Sequence, residues 1–148
     1  MSLQEQVTEQ LKAAMKAKDA VALESLRAIK SALLLTQTQV GAKDLTADDE
    51  IKLVQKLVKQ RKDSAEIFRQ QGRVDLAEPE EAQIKVIEQF LPEQLDEAAI
   101  GKIVDTIISQ TNAEGMKDMG KVMGMASKQM AGKADGKIIS TIVRQKLA

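Results

Sequence analysis

Apolar residues in this chain return at helical spacing almost from end to end, and no useful run of alternating apolar and polar residues interrupts them. A segment with apolar positions three and four apart has one oily face as a helix and none as a strand. The pattern therefore predicts an all-α protein without a sheet. Leu3, Val7, Leu11 and Met15 mark a first helix. Asp19 is placed to cap a second, with Leu23, Leu26, Ile29 and Leu33 as its apolar positions. Gly41 is expected to break that helix, and Thr46 to cap a long third one that Gly72 stops. The fourth carries Pro79 in its first turn and Ile84, Ile87 and Leu91 on one face.

Leu91-Pro92 should end helical geometry, because proline disfavours the α conformation in the residue before it. Asp96 restarts the chain, and Ile100, Ile103, Val104, Ile107 and Ile108 form the stripe of a fifth helix. Thr111 to Gly115 reads as a loop. Asp118 is then expected to cap a sixth helix (Met119, Val122, Met123, Ala126, Met130) that Gly132 closes. Asp135 caps a seventh, with Ile138, Ile139, Ile142, Val143 and Leu147. The expected architecture is a four-helix N-terminal part, residues 1–92, followed by a small three-helix C-terminal domain, residues 93–148.

What the chain lacks excludes much chemistry. Among 148 residues the only aromatics are Phe68 and Phe90, too few for a base-stacking platform on strands. There is no Cys, hence no disulfide, thiolate metal site or Cys nucleophile. There is no His either, which removes the usual general base and the commonest metal ligand. No metal and no cofactor is expected. Uninterrupted apolar stretches reach four residues, as at Ala32–Leu35, far short of a membrane span. A soluble, cytoplasmic protein is the expectation.

The 22 basic and 22 acidic residues cancel, but not locally. From Gly115 onward Lys117, Lys121, Lys128, Lys133, Lys137, Arg144 and Lys146 face only Asp118 and Asp135, so the last 34 residues carry +5 and the first 114 carry −5. Such an end suits an acidic partner, or is simply a solvated lysine-rich surface.

Specific motifs are few. Gly115-Met116-Lys117-Asp118-Met119-Gly120-Lys121 matches G-x-x-x-x-G-K, but Val122 stands where Ser or Thr must ligate Mg²⁺. An amphipathic helix also precedes it where a P-loop needs a strand. The carboxylate clusters Asp48-Asp49-Glu50 and Glu80-Glu81 fall in helix first turns, where they complement the macrodipole. No G-x-S-x-G motif occurs. Arg61, on the third helix's apolar face, and Arg27, beside Leu23 and Leu34 on the second's, call for carboxylate or carbonyl partners. Glu81 and Glu88 on the fourth helix are the candidates, as an interhelix ion pair. Gly120 and Gly124 form a bare strip on the sixth helix beside Lys121 and Lys128. Glycine inside a helix costs about 1 kcal/mol against alanine, so either a helix packs closely there or a sugar-phosphate backbone approaches.

Lys59-Gln60-Arg61-Lys62-Asp63-Ser64-Ala65-Glu66, Gly72-Arg73-Val74-Asp75-Leu76-Ala77 and Phe90-Leu91-Pro92-Glu93-Gln94-Leu95 resemble the YqeY-like proteins. So does the ending, Met119-Gly120-Lys121-Val122-Met123-Gly124 with Gly132-Lys133-Ala134-Asp135-Gly136-Lys137. The resemblance spans essentially the whole chain. It implies an all-helical fold with a C-terminal domain similar to the tail of the B subunit of the tRNA-dependent Asp/Glu amidotransferase, which engages tRNA. A related module accompanies some glutaminyl-tRNA synthetases. The family is also labelled as carbon–nitrogen ligase with glutamine as amide donor, but the chain lacks the catalytic cradle of that B subunit, and no catalytic residue carries over.

The sequence is thus read as a tRNA-associated accessory protein that binds rather than catalyses. Candidate contacts are Lys117, Gly120, Lys121, Gly124, Lys128, Lys133, Lys137 and Arg144. The alternatives are an adaptor docking a synthetase or amidotransferase through methionines such as Met116 and Met125, or a glutamine-dependent ligase. Without a nucleophile–base constellation, the purified chain should neither hydrolyse glutamine nor amidate aminoacyl-tRNA unaided. Glutaminase turnover that persists through rigorous purification would overturn the non-enzyme reading.

Overall fold

A computed structural model describes residues 1–39 and 44–148; Gly41, expected to break the second helix, lies outside them. Among the described residues there are seven α-helices and no strand: α1 Leu3–Ala17, α2 Ala20–Thr38, α3 Ala47–Gln70, α4 Val74–Glu88, α5 Glu97–Thr111, α6 Met119–Gln129 and α7 Gly136–Leu147. A 3₁₀ turn, Met116–Asp118, leads into α6. The chain forms two compact units, Met1–Leu91 with α1–α4 and Pro92–Ala148 with α5–α7.

The core of the first unit is aliphatic. Leu3, Val7, Leu11 and Ala14 of α1 meet Leu26, Ile29 and Leu33 of α2, Val54 and Val58 of α3, and Ile84 and Ile87 of α4. Phe90 and Leu91 pack partly buried at its edge. Met15, expected on the α1 stripe, is 52% exposed. Repeating every four residues overshoots the 3.6-residue turn, so Met15 lies about 120° around from Leu3 while Ala14 returns to the buried side. The second unit closes around Ile100, Val104 and Ile107 of α5, Val122 and Ala126 of α6, and Ile139, Ile142, Val143 and Leu147 of α7, with Met130 between.

Short-range signals set the helix ends. Ser2, Asp19 and Asp96 each accept from the N–H three residues on, and Asp135 accepts from Lys137 N–H. Thr46 and Asp49 form a reciprocal capping box. The Thr46 N–H, and after it the Thr46 hydroxyl, hold the Asp49 carboxyl below its ordinary value. That support is complete above the usual carboxylate range and fades as pH falls through the lowered value. Glu50, in the first turn of α3, reaches across to accept from Leu3 N–H at 2.6 Å, closing the start of α1 with a charge from a neighbouring helix.

Three expected boundaries differ. Asp118 does not cap α6, because its carboxylate already accepts from Glu114 N–H at 2.8 Å. α4 begins at Val74, so Pro79 sits in its second turn, where it removes the hydrogen bond to the Asp75 carbonyl. α6 ends at Gln129, and Gly132 (φ +78°) falls in a further turn beyond it.

Gly72 ends α3 in the left-handed region (φ +73°), with Arg73 N–H bonded to Phe68 O and Gly72 N–H to Arg69 O. Lys18 ends α1 with the same pair of bonds, Asp19 to Ala14 and Lys18 to Met15, but its φ of +55° is one a side chain resists. Lys18→Gly should therefore stabilise the first unit by about 1 kcal/mol, and Gly72→Ala should destabilise it by about as much. Among the described residues no atom lies within 4 Å of a methyl placed at Gly72, so chemical denaturation isolates the backbone cost.

Candidate nucleic-acid interface

On α6 the buried side chains are Val122 and Ala126, continued by Met130 beyond the helix. At 100° per residue the arc opposite them holds Gly120, Lys121, Gly124 and Lys128, all exposed. Lys121 and Lys128 stand about 10 Å apart along the axis with Gly124 between them. A methyl at Gly120 or Gly124 would meet no atom of another element within 4 Å among the described residues, so no helix packs on this strip. The pair of glycines leaves a lowered, open path between two lysines.

α7 repeats the arrangement. Ile139, Ile142, Val143 and Leu147 face the core, and Lys137 and Arg144, seven residues apart, lie exposed on the far side. Among the described residues, no carboxylate lies within 4.0 Å of Lys121, Lys128, Lys133, Lys137 or Arg144.

The other C-terminal cations are less free. Lys117 pairs with Glu114 at 3.5 Å, and Lys146 with Asp105 at 2.9 Å. The Lys146 stem also lies over Gly101, where an added methyl would sit 3.4 Å from its Cε. Lys133 shares a recess of about 320 Å³ with Glu93 and Asp96. Its carbonyl accepts from Leu95 N–H at 2.8 Å, and Gln94 donates to Gly132 O at 2.7 Å, which ties this turn to the start of α5. Residues 92–148 as a whole carry eight basic and seven acidic side chains, so the basic character belongs to faces and not to the unit. Met116 is 47% exposed, whereas Met125 packs partly buried against the core.

Of the arginines in the first unit, Arg61 and Arg27 do not form the expected ion pairs with Glu81 and Glu88. Arg61 is half-buried, but its Nε donates to the Gln83 side-chain carbonyl at 2.9 Å and an Nη donates to Leu57 O at 3.1 Å. Glu81 instead accepts from Arg69, and Glu88 lies 3.6 Å from Lys62. A neutral amide satisfies the guanidinium without desolvating a second charge, and the carboxylates remain at the rim. Gln83, buried within the apolar stripe of α4, is the signal in the sequence that marks this partner. Arg27 is exposed: the buried centre of α2 is Ser25, Leu26, Ile29 and Leu33. The Ser25 hydroxyl donates to Val21 O, which lets a polar residue occupy the stripe, and Leu34, expected on it, is 49% exposed.

No group of three or more carboxylates that could hold a metal ion is found among the described residues. No described helix is long and apolar enough to cross a membrane.

Among the described residues this chain is all-helical, and lysines flank an open glycine strip on α6. It belongs to the YqeY-like family, whose sequence profile, described as Yqey-like protein, matches residues 4–147. It is 33% identical over 104 residues to the E subunit of the glutamyl-tRNA(Gln) amidotransferase of Thermococcus gammatolerans, covering 68% of this chain but 17% of that relative. The corresponding protein of Methanococcus maripaludis is 47% identical over 51 residues, 34% of this chain and 8% of its own length. Altered inheritance of mitochondria protein 41, mitochondrial, of Pyrenophora tritici-repentis is 32% identical over 139 residues, 91% of this chain and 75% of its own length.

Two sets of variants test the assigned contacts. Gln83→Leu should cost about 1–3 kcal/mol, since Arg61 loses a partner in a half-buried site, whereas Glu81→Gln should cost under about 1 kcal/mol. Gly120→Ala and Gly124→Ala should each stabilise the second unit by up to about 1 kcal/mol in thermal melts, because each adds helix propensity in open space. Destabilisation by either would mean that the strip is packed.

Proposed function

We propose that this protein is a tRNA-associated accessory protein that acts by binding and not by catalysis, with its two compact units serving as separate domains. The observation that carries this reading is the outward arc of α6, where Lys121 and Lys128 flank a glycine strip that nothing covers among the described residues. Glycine there sacrifices helix stability, and close approach of a sugar-phosphate backbone is a use that offsets the loss. Lys137 and Arg144 on α7 extend the set of unpaired cations. Lys117 and Lys133, each beside acidic residues, contribute less.

The relation to the glutamyl-tRNA(Gln) amidotransferase proteins supports tRNA as the nucleic acid. The matched part is a small fraction of those relatives, so on this reading the amidotransferase chemistry stays with them and the shared module brings RNA contacts. With few aromatics, recognition rests on phosphates and shape, as for structured RNA. Partnership with an amidotransferase or an aminoacyl-tRNA synthetase, in the cytoplasm, fits this role.

Contact with three or four phosphates gives a slope of log affinity against log salt of about −2 to −4. Lys121→Glu with Lys128→Glu should weaken binding of every tRNA alike, since phosphate contacts carry no sequence information. Gly124→Leu should weaken binding while leaving the melting transition in place. Absence of tRNA binding at low salt, or indifference to the double reversal, would discard RNA in favour of an adaptor role.

A further inference from the structure

We propose that the cleft between α2 and α3, in the first unit and apart from the α6–α7 stripe, docks an acidic amphipathic helix of a partner protein. α3 packs chiefly on α4, and α2 on α1 and α4, so α2 and α3 touch only lightly. Between them lies a cleft of about 420 Å³. Its apolar surface comes from Leu35 of α2 and Leu53 and Leu57 of α3, and its charge from Lys52 and Lys56, one turn apart on α3. Among the described residues no carboxylate lines it.

Leu35 is 65% exposed, and Leu34 beside it adds a second large apolar side chain in contact with water. Neither lysine has a carboxylate within 4.0 Å among the described residues. Asp49, one turn before Lys52, is occupied in the Thr46 capping box. The α3–α4 groove, larger at about 710 Å³, is the informative contrast: both α3 cations that line it have carboxylates on α4, Lys62 with Glu88 and Arg69 with Glu81, and only Lys85 of α4 has none within 4.0 Å among the described residues. Along α3, then, Lys62 and Arg69 meet carboxylates of α4 and Arg61 meets the Gln83 amide, whereas Lys52 and Lys56 on the α2 side have no carboxylate partner among the described residues.

An apolar floor with unpaired lysines on one wall is complementary to a helix whose leucines, three or four apart, are flanked by glutamates. Leucine side chains offer nothing to phosphates, so the floor favours a peptide over RNA. The acidic flank is what selects among apolar helices.

The test uses the full-length chain and a labelled helical peptide of Glu, Ala and Leu with leucines four apart, beside a twin carrying Lys for every Glu. Fluorescence anisotropy should show the acidic peptide binding roughly tenfold or more tighter than its basic twin, since like charges across an interface disfavour docking. Amide shifts should map to Leu35 and to residues 52–57. Lys52→Glu with Lys56→Glu should reverse the preference, and Leu35→Asp should weaken both peptides. All three side chains are exposed, and circular dichroism checks that the variants stay folded. The shift map needs no variant at all. Failure of the acidic peptide to bind, equal binding of the twins, or shifts elsewhere would overturn the proposal. So would a double reversal that lowers tRNA affinity but leaves peptide binding unchanged.

Discussion

Burial of aliphatic stripes holds both units of this protein together, and every other feature is arranged around that requirement. Leu26, Ile29 and Ile87 in one unit, and Ile100, Ile107 and Ile139 in the other, are almost wholly removed from water. Each contributes about 1.5–3 kcal/mol of transfer free energy against the entropy of ordering the chain. Both phenylalanines are left only partly buried. Branched aliphatic side chains fill the space between helices at the 3.6-residue period, which leaves the outer arcs free to vary. Those outer arcs are where the two units differ.

In the first unit most interhelix charges are resolved at the surface. Lys62–Glu88 and Arg69–Glu81 are exposed pairs worth up to about 1 kcal/mol each, and Arg61 is satisfied by a neutral amide. In the second unit Lys146–Asp105 spans α5 and α7, while the outward lysines of α6, beside two glycines, have no carboxylate partner among the described residues. A glycine pair at exposed helix positions lowers stability and, with no neighbour packed on it, brings no packing gain in return. On the proposed function, close approach of a sugar-phosphate backbone offsets that loss.

Much of the fold was legible because its determinants are local. Asp19, Thr46, Asp96 and Asp135 announce helix starts through hydrogen bonds to N–H groups two or three residues away, and proximity in sequence guarantees proximity in space. Asp118 has the same letter but misleads, because a 3₁₀ turn points its carboxylate back to Glu114. Partners across helices were harder: Arg61, read on the apolar face of α3, is half-buried, yet its acceptor depended on how α4 is rotated against α3. The candidate interface was only half-legible. Sequence placed the glycines beside the lysines, but whether a helix covered them was a tertiary question, answered by the open space at Gly120 and Gly124.

The most direct measurement is a nitrogen-15 amide titration of the full-length chain with unmodified tRNA at low salt. If the outward arc of α6 receives the phosphate backbone, the largest shifts will fall on residues 120–128, followed by the Lys137 and Arg144 side of α7, and they will vanish as salt is raised. Shifts confined to residues 1–91, or no shifts at all at low salt, would contradict it.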